Sequence, residues 1–355
     1  MEKREILHSI WKSIYITKGS KSVFNIYMRS GKTYLSLKIL KELDLCSSKI
    51  LISYPDNKIL DSWLDAQNKL GISLTNVSYV NTSSIHKYSE ENWDAYIFDE
   101  CTDFSLAQEI EIQKIINNSK RVLALSGTIS KESEQRLNNL GLDIIVKYSN
   151  QEAIKDGLIS DYSIEIIKVP LNLDKNIKDK NGWISEKKKF DNYTFVINKL
   201  REERKNFMFL ALNRNRILQS SQNKINKLKE LIIKDERILI FTGLTKVADS
   251  LGIASYHSKS KDKTAFERFL NKEFNHLAVA KIGGSGVSYP QLDKVILSNF
   301  TYDEEDTSQI ISRAMMLDYK DKVAKIIIIT SNEEVELKKL NRTLQDFDKN
   351  KIKWQ

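Results

Sequence analysis

The sequence predicts an α/β protein built from two parallel-sheet units in tandem. Three observations carry this reading. Short apolar runs alternate with amphipathic helical patterns in the first half, and the same alternation returns from Arg237 onward. The 355 residues suit about two domains at ~150 residues each. The boundaries expected are 1–148 for the first unit, 149–160 for a linker and 161–355 for the second unit.

In the first half, Ser22–Tyr27 reads as a strand and Thr33–Leu43 as an amphipathic helix. Lys49–Tyr54 is a strand, followed by a helix over Leu60–Gly71 that ends at glycine. Val77–Val80, Ala95–Phe98 and Arg121–Ser126 are further strands. Their near-continuous apolar character fits strands buried on both faces. In the second half Arg237–Thr242, His276–Ile282, Lys294–Asn299 and Ala324–Thr330 read as strands, with a helical pattern at Asp262–Phe274. The stretch after Asn332 reads as a charged helix. Residues 171–205 break the pattern: ten basic residues stand against six acidic ones, with lysines at 187, 188 and 189, which reads as a basic insertion.

Composition narrows the function classes. Hydrophobic residues make up 41% and charged residues 29%, an ordinary globular balance that excludes collagen, coiled coil and long disorder. The longest pure aliphatic run, Ile326–Ile329, is far too short to span a bilayer, and the N-terminus has no apolar core like a signal peptide's. Cys46 and Cys101 are the only cysteines and lie far apart, which excludes a disulfide framework and a cysteine zinc site. A reducing, cytoplasmic compartment is expected, the host's if the source is viral. The net charge of +9 suits a polyanionic partner. Forty-four lysines against 12 arginines, with abundant Ile and Asn, suggest an AT-rich genome such as a phage's or virus's.

Three short motifs carry chemistry. Met28-Arg29-Ser30-Gly31-Lys32-Thr33 lies between a strand and a helix, where backbone N–H groups can cradle phosphates. In that pattern Lys32 reaches the β/γ-phosphates and the Thr33 hydroxyl ligates Mg²⁺. Ser30 and Gly31 complete the loop, although the full motif asks for glycine where this chain has Ile26. Next, the apolar strand Tyr96-Ile97-Phe98 ends in Asp99 and Glu100. Asp99 suits a Mg²⁺ ligand, and Glu100 suits the base that orients and deprotonates an attacking water. Third, Ser126-Gly127-Thr128 also follows a strand, 26 residues after Glu100. In open α/β sheets ligands sit at the carboxyl ends of strands, so all three motifs point to one crevice.

In that order the motifs resemble the first motor domain of superfamily 2 helicases and translocases. Ile52–Trp63 is similar to that family's motif Ia, with Tyr54 and Pro55 at the nucleic-acid backbone, and Asn81–Tyr88 to its motif Ib, with Ser84. Arg237–Asp249 is similar to motif IV, which implies that Thr242 and Gly243 contact nucleic acid. Ala278–Leu297 resembles motif V of the chromatin-remodeller type: Gly283 and Gly284 would touch nucleic acid and Gly286 the nucleotide. Ser308–Met316 resembles motif VI, with Gln309 and Arg313 in the catalytic positions.

The resemblance implies two RecA-like domains flanking an ATP cleft, with ATP and Mg²⁺ as cofactors and Ser126, Gly127 and Thr128 coupling nucleotide state to motion. It implies an ATP hydrolase that translocates on nucleic acid, DNA favoured over RNA, with a protein partner that could recruit it. Three positions depart from the family pattern: Ile26, Thr102 after the carboxylates, and Met316 where a second motif VI arginine is usual. They feed an alternative, a nucleotide-gated clamp that binds nucleic acid and hydrolyses ATP weakly or not at all. The adenine-reading glutamine expected upstream of the phosphate loop is absent, since the first glutamine is Gln67. Trp63 is expected to pack in the core, and His257 to lie at the surface or on a phosphate.

Overall fold

The computed structural model describes residues 2–27, 30–127, 129–179, 182–280, 291–299, 322–345 and 347–355, with isolated positions between 307 and 315. The chain divides into two compact units, one running to Ser160 and the other starting at Asp161.

The first unit opens with helix α1 (Glu2–Lys18), which runs into strand β1 (Lys21–Ile26) and helix α2 (Lys32–Glu42). Then follow β2 (Ile50–Tyr54), α3 (Lys58–Leu70), β3 (Val77–Asn81) and a 3₁₀ turn over Thr82–Tyr88. β4 (Trp93–Asp99), α4 (Leu106–Asn117), β5 (Ser119–Ser126), α5 (Lys131–Asn139), β6 (Asp143–Tyr148) and α6 (Asn150–Lys155) complete it. Among the described residues the sheet has six strands in the order β3-β2-β4-β5-β1-β6, all parallel. The strands are apolar because both faces are covered, as in β2, where every residue is buried. One core cluster joins Val23, Leu51, Tyr96, Phe98, Ile112 and Leu137.

Glycine and serine mark the element ends. α3 stops at Gly71, left-handed at φ 59°, a conformation that costs glycine no Cβ clash. α4 starts in a capping box between Ser105 and Gln108, and α6 in one between Ser149 and Glu152. α6 occupies the stretch expected as a linker, and Asp156 just beyond it accepts a hydrogen bond from the Tyr148 hydroxyl (3.0 Å).

The second unit has the same grammar. β7 (Asp161–Val169) is followed by a short antiparallel hairpin, β8 (Ile177–Asp179) and β9 (Gly182–Ile184), then α7 (Glu186–Glu202) and α8 (Met208–Gln219). After α9 (Gln222–Leu231) come β10 (Ile238–Thr242), α10 (Thr245–Ser250), β11 (Ala254–Tyr256), α11 (Ala265–Leu270) and β12 (His276–Ala280). β13 (Lys294–Leu297), β14 (Val323–Ser331), α12 (Glu334–Thr343) and β15 (Ile352–Trp354) end it. Seven described strands form one parallel sheet in the order β11-β12-β10-β13-β14-β7-β15.

The basic stretch at 171–205 is the β8–β9 hairpin and α7. With α8 it packs around a small core of its own, Leu171, Phe190, Ile217 and Leu218. The expected helix over 262–274 forms only as α11. His257 is neither at the surface nor free: it is buried, and its Nε2 meets Asp249 Oδ1 at 2.9 Å.

Candidate nucleotide site and nucleic-acid contacts

β4, β5 and β1 are neighbours in the first sheet, so their carboxyl ends share one edge. In the register Asp99 lies beside Leu125, and Asn25 beside Ser126. The phosphate-loop residues, the two carboxylates and Ser126-Gly127 are therefore brought together by topology, although ~70 residues separate the first two in sequence.

The loop enters α2 through Gly31, which is left-handed at φ 88° and ψ 39°. No side chain caps the helix. The obvious candidate, the Ser30 hydroxyl, donates instead to the Tyr27 carbonyl at 2.6 Å. The first amides of α2 are thus left for another acceptor, and a helix N-terminus favours an anion there. Lys32 Nζ stands 3.5 Å from Glu100 Oε1, the two side chains being 10% and 20% exposed. Its cation thus sits at the mouth of the turn beside the carboxylate.

β4 ends in a strained step. Glu100 has φ 49°, uncommon for a residue with a Cβ, and the next amide, Cys101 N–H, returns to β5 by donating to Leu125 O at 2.9 Å. That twist aims Glu100 off the strand line. Its Oε2 is buried without a hydrogen-bond partner. Asp99 is 4% exposed and accepts two N–H groups, from Trp63 Nε1 at 2.9 Å and from the Glu100 amide at 3.1 Å. Burial first, and then the Glu100 charge, pushes the Asp99 carboxyl up to about 6, against the pull of Lys32 and its two donors. A buried carboxylate next to a half-buried one, with one lysine beside the latter and a spare oxygen, forms an anionic pair that a divalent cation would neutralise. The donor set is all oxygen, with the Thr33 hydroxyl two residues beyond Gly31, and suits Mg²⁺.

The other expected residues fall in three groups. Tyr54 is buried at 3% exposure, while Pro55 beside it and Ser84 on the 3₁₀ turn are partly exposed. Asn81 ties these two segments: its Nδ2 donates to Pro55 O (2.9 Å), and its Oδ1 accepts from Ser83 N (3.0 Å). In the second unit Thr242 and Gly243 lie together at the end of β10, both buried, and a Cβ on Gly243 would overlap Asn299 and Gln219. The side chains of Tyr54 and Thr242 are thus not at the surface. Thr128, Gly283, Gly284, Gly286, Gln309, Arg313, Arg29 and Met316 lie outside the described residues.

Residues 223–317 match the helicase conserved C-terminal domain. The match covers 95 of the 355 residues. A comparison with curated protein sequences finds no match. Among solved structures, 97% of this chain aligns with the ATP-dependent Type ISP restriction-modification enzyme LlaBIII bound to DNA, at TM-score 0.63 and 13% identity. The chain spans 30% of that chain's length. The Pyrococcus furiosus Hef helicase domain aligns over 93% of this chain and 96% of its own, at TM-score 0.50 and 14% identity. These likenesses are of fold: two parallel-sheet α/β units in one chain.

Two residues of this chain join the candidate site without having been singled out for it. Trp63, expected as core, is fully buried, but its indole N–H holds Asp99. The available signal was chemical: a tryptophan buried in a helix needs an acceptor for that N–H, and strand-end carboxylates were the candidates. The second is His8, whose Nε2 is 2.7 Å from Ser30 O. Nothing in its local sequence links it to a loop 22 residues away.

Proposed function

We propose that this helicase-type chain is a nucleic-acid-dependent ATP hydrolase that translocates on DNA. The observation that carries the reading is the arrangement at the β1 and β4 ends: an uncapped helix entrance, Lys32 and a strained Glu100 on one edge. In this reading the N–H groups at Gly31–Thr33 and the Lys32 ammonium bind the triphosphate. Thr33 and Asp99 hold Mg²⁺, which offsets phosphate charge when bound. Glu100 takes the proton of the attacking water through an oxygen that has no other partner. Gln309 and Arg313 of motif VI are assigned to the triphosphate, and Gly286 to the nucleotide. Ser126, Gly127 and Thr128 couple its state to motion.

Nucleic acid is assigned to the partly exposed Pro55 and Ser84, to the neighbourhood of Tyr54, Thr242 and Gly243, and to Gly283 and Gly284. DNA is favoured because motif V is of the remodeller type and because the LlaBIII structure it resembles is bound to DNA. The clamp reading is favoured by the departures at Ile26, Thr102 and Met316, the last because methionine offers neither charge nor donor where a cation is usual.

Turnover with and without DNA separates the two readings. Lys32→Ala should lose nucleotide affinity. Glu100→Gln should keep binding and lose turnover by ~10²-fold or more, the worth of a general base. If Glu100→Gln hydrolyses ATP at the wild-type rate, the catalytic assignment is wrong.

A further inference from the structure

We propose that His8 is a positioning residue of the phosphate loop, which makes α1 part of the nucleotide site. The proposal rests on the ATP reading above and adds to it a residue that no motif contains.

His8 is 3% exposed, and its Nε2 lies 2.7 Å from the Ser30 carbonyl oxygen. A carbonyl can only accept, so Nε2 carries the proton and donates. The same ring packs on the next residue. A Cβ on Gly31 would stand 3.0 Å from His8 Cε1 and 3.1 Å from its Nε2. The left-handed turn at Gly31 is therefore held from one side by a hydrogen bond and by direct contact.

The consequence follows from peptide planarity. In a trans peptide the C=O and the following N–H point in opposite directions. Holding Ser30 O against α1 turns the Gly31 N–H away from α1. That amide lies at the entrance of α2, where no side chain caps the helix. An imidazole thus sets the direction of a phosphate donor without touching phosphate.

The ring is built for one state. Its Nδ1 is buried without a hydrogen-bond partner. Burial first, and then the nearby charges of Lys38 and Arg4, lower its pKa against the opposing pull of Ser30 and Glu5. A neutral ring with its proton on Nε2 makes the bond to Ser30 without burying a charge or a second donor. Arg4, four residues earlier and so on the same helix face, also reaches the loop: its Cδ would be 3.7 Å from that Gly31 Cβ. α1 is held in place independently of His8. Lys12 pairs with Glu42 of α2 at 3.0 Å, Lys38 of α2 with Glu5, and Lys3 with Asp156 at 3.1 Å. Trp11 packs edge-on to Tyr148 at 5.0 Å between centroids. Loss of the His8 donor should therefore leave the helix docked and the loop misaimed.

The test compares His8→Leu, which keeps an apolar side chain but no donor, with His8→Gln, whose Nε2 amide can donate at a similar reach. Direct binding of ATP·Mg²⁺ and steady-state turnover are measured for wild type and both variants, with thermal unfolding as a fold control. Leu should raise the Kd and KM for ATP by ~10-fold or more with little change in kcat, and Gln should recover to within ~3-fold of wild type. Should Leu fail to fold, His8→Met, also without a donor, takes its place. Equal affinity in all three proteins overturns the proposal, and so does an equal loss in Leu and Gln, which would mean that the ring only fills space. If wild type itself binds ATP no better than Lys32→Ala, the ATP reading has failed and not the role of His8 within it.

Discussion

Asp99 shows how a single buried carboxyl can cost stability. Its carboxyl is pushed up to about 6 by burial and by Glu100, from 3.8 for an unperturbed group. Well below pH 4 the group is protonated in the folded and unfolded chains alike, and its contribution to stability is fully present. As pH rises the unfolded chain ionises first, so folding is progressively penalised. The penalty is complete once pH has passed the folded value. Asp99→Asn should therefore stabilise the nucleotide-free protein at pH 8 by about 1–3 kcal/mol and have almost no effect at pH ~3. Thermal unfolding at the two pH values checks this. Added Mg²⁺ with ATP should raise the melting temperature of wild type more than that of the variant, because a ligand stabilises only the state that binds it. A variant less stable than wild type at pH 8 would mean that the Trp63 hydrogen bond outweighs the buried charge.

At the scale of elements, two junctions depend on particular contacts. The turn from β1 into α2 needs Gly31: alanine there would have to adopt φ 88° and stand about 3 Å from the His8 ring. Gly31→Ala should cost about 1–3 kcal/mol in chemical unfolding and weaken ATP binding as well. In the second unit α9 is pinned to α12 by a buried ion pair, Lys224 Nζ to Glu336 Oε1 at 2.5 Å, with Lys224 1% exposed. Glu336 also accepts the Ser331 amide through Oε2 at 2.7 Å, which joins the end of β14 to the pair. Removing the lysine leaves the carboxylate buried and unpaired. Lys224→Met should cost about 3–5 kcal/mol in urea unfolding. The double variant Lys224→Met, Glu336→Leu should recover much of that, since the uncompensated charge is then gone.

For the whole molecule the relevant quantity is charge. At +9 the chain should bind nucleic acid through phosphates, with little preference for sequence. Binding to duplex DNA measured from low to moderate salt should weaken with a log–log slope of several units, one for roughly each phosphate neutralised. A flat salt profile would sink the idea of a motor that tracks phosphates. Among the described residues no helix is long and apolar enough to cross a membrane.

The sequence by itself determined the fold class and the strand ends on which the candidate site residues stand. Strands buried on both faces declare themselves as apolar runs, and Lys32, Asp99, Glu100 and Ser126 are legible because each follows such a run. β7 is not among the strands expected above, although its residues 161–169 alternate polar and apolar as a half-buried strand does, because local pattern does not reveal a partner. Pairing with β14 along its whole length made it one. β6 and the edge strand β15 became strands through the same long-range pairing, with β1 and β7. Tertiary structure alone decided that Trp63 would meet Asp99 and that His8 would meet Ser30, contacts across 36 and 22 residues. It also decided that Tyr54 and Thr242 would be buried. The physical reason is the same in each case. Periodicity and capping act within a few residues, whereas the partner of a buried polar group is chosen by packing, which no local pattern encodes.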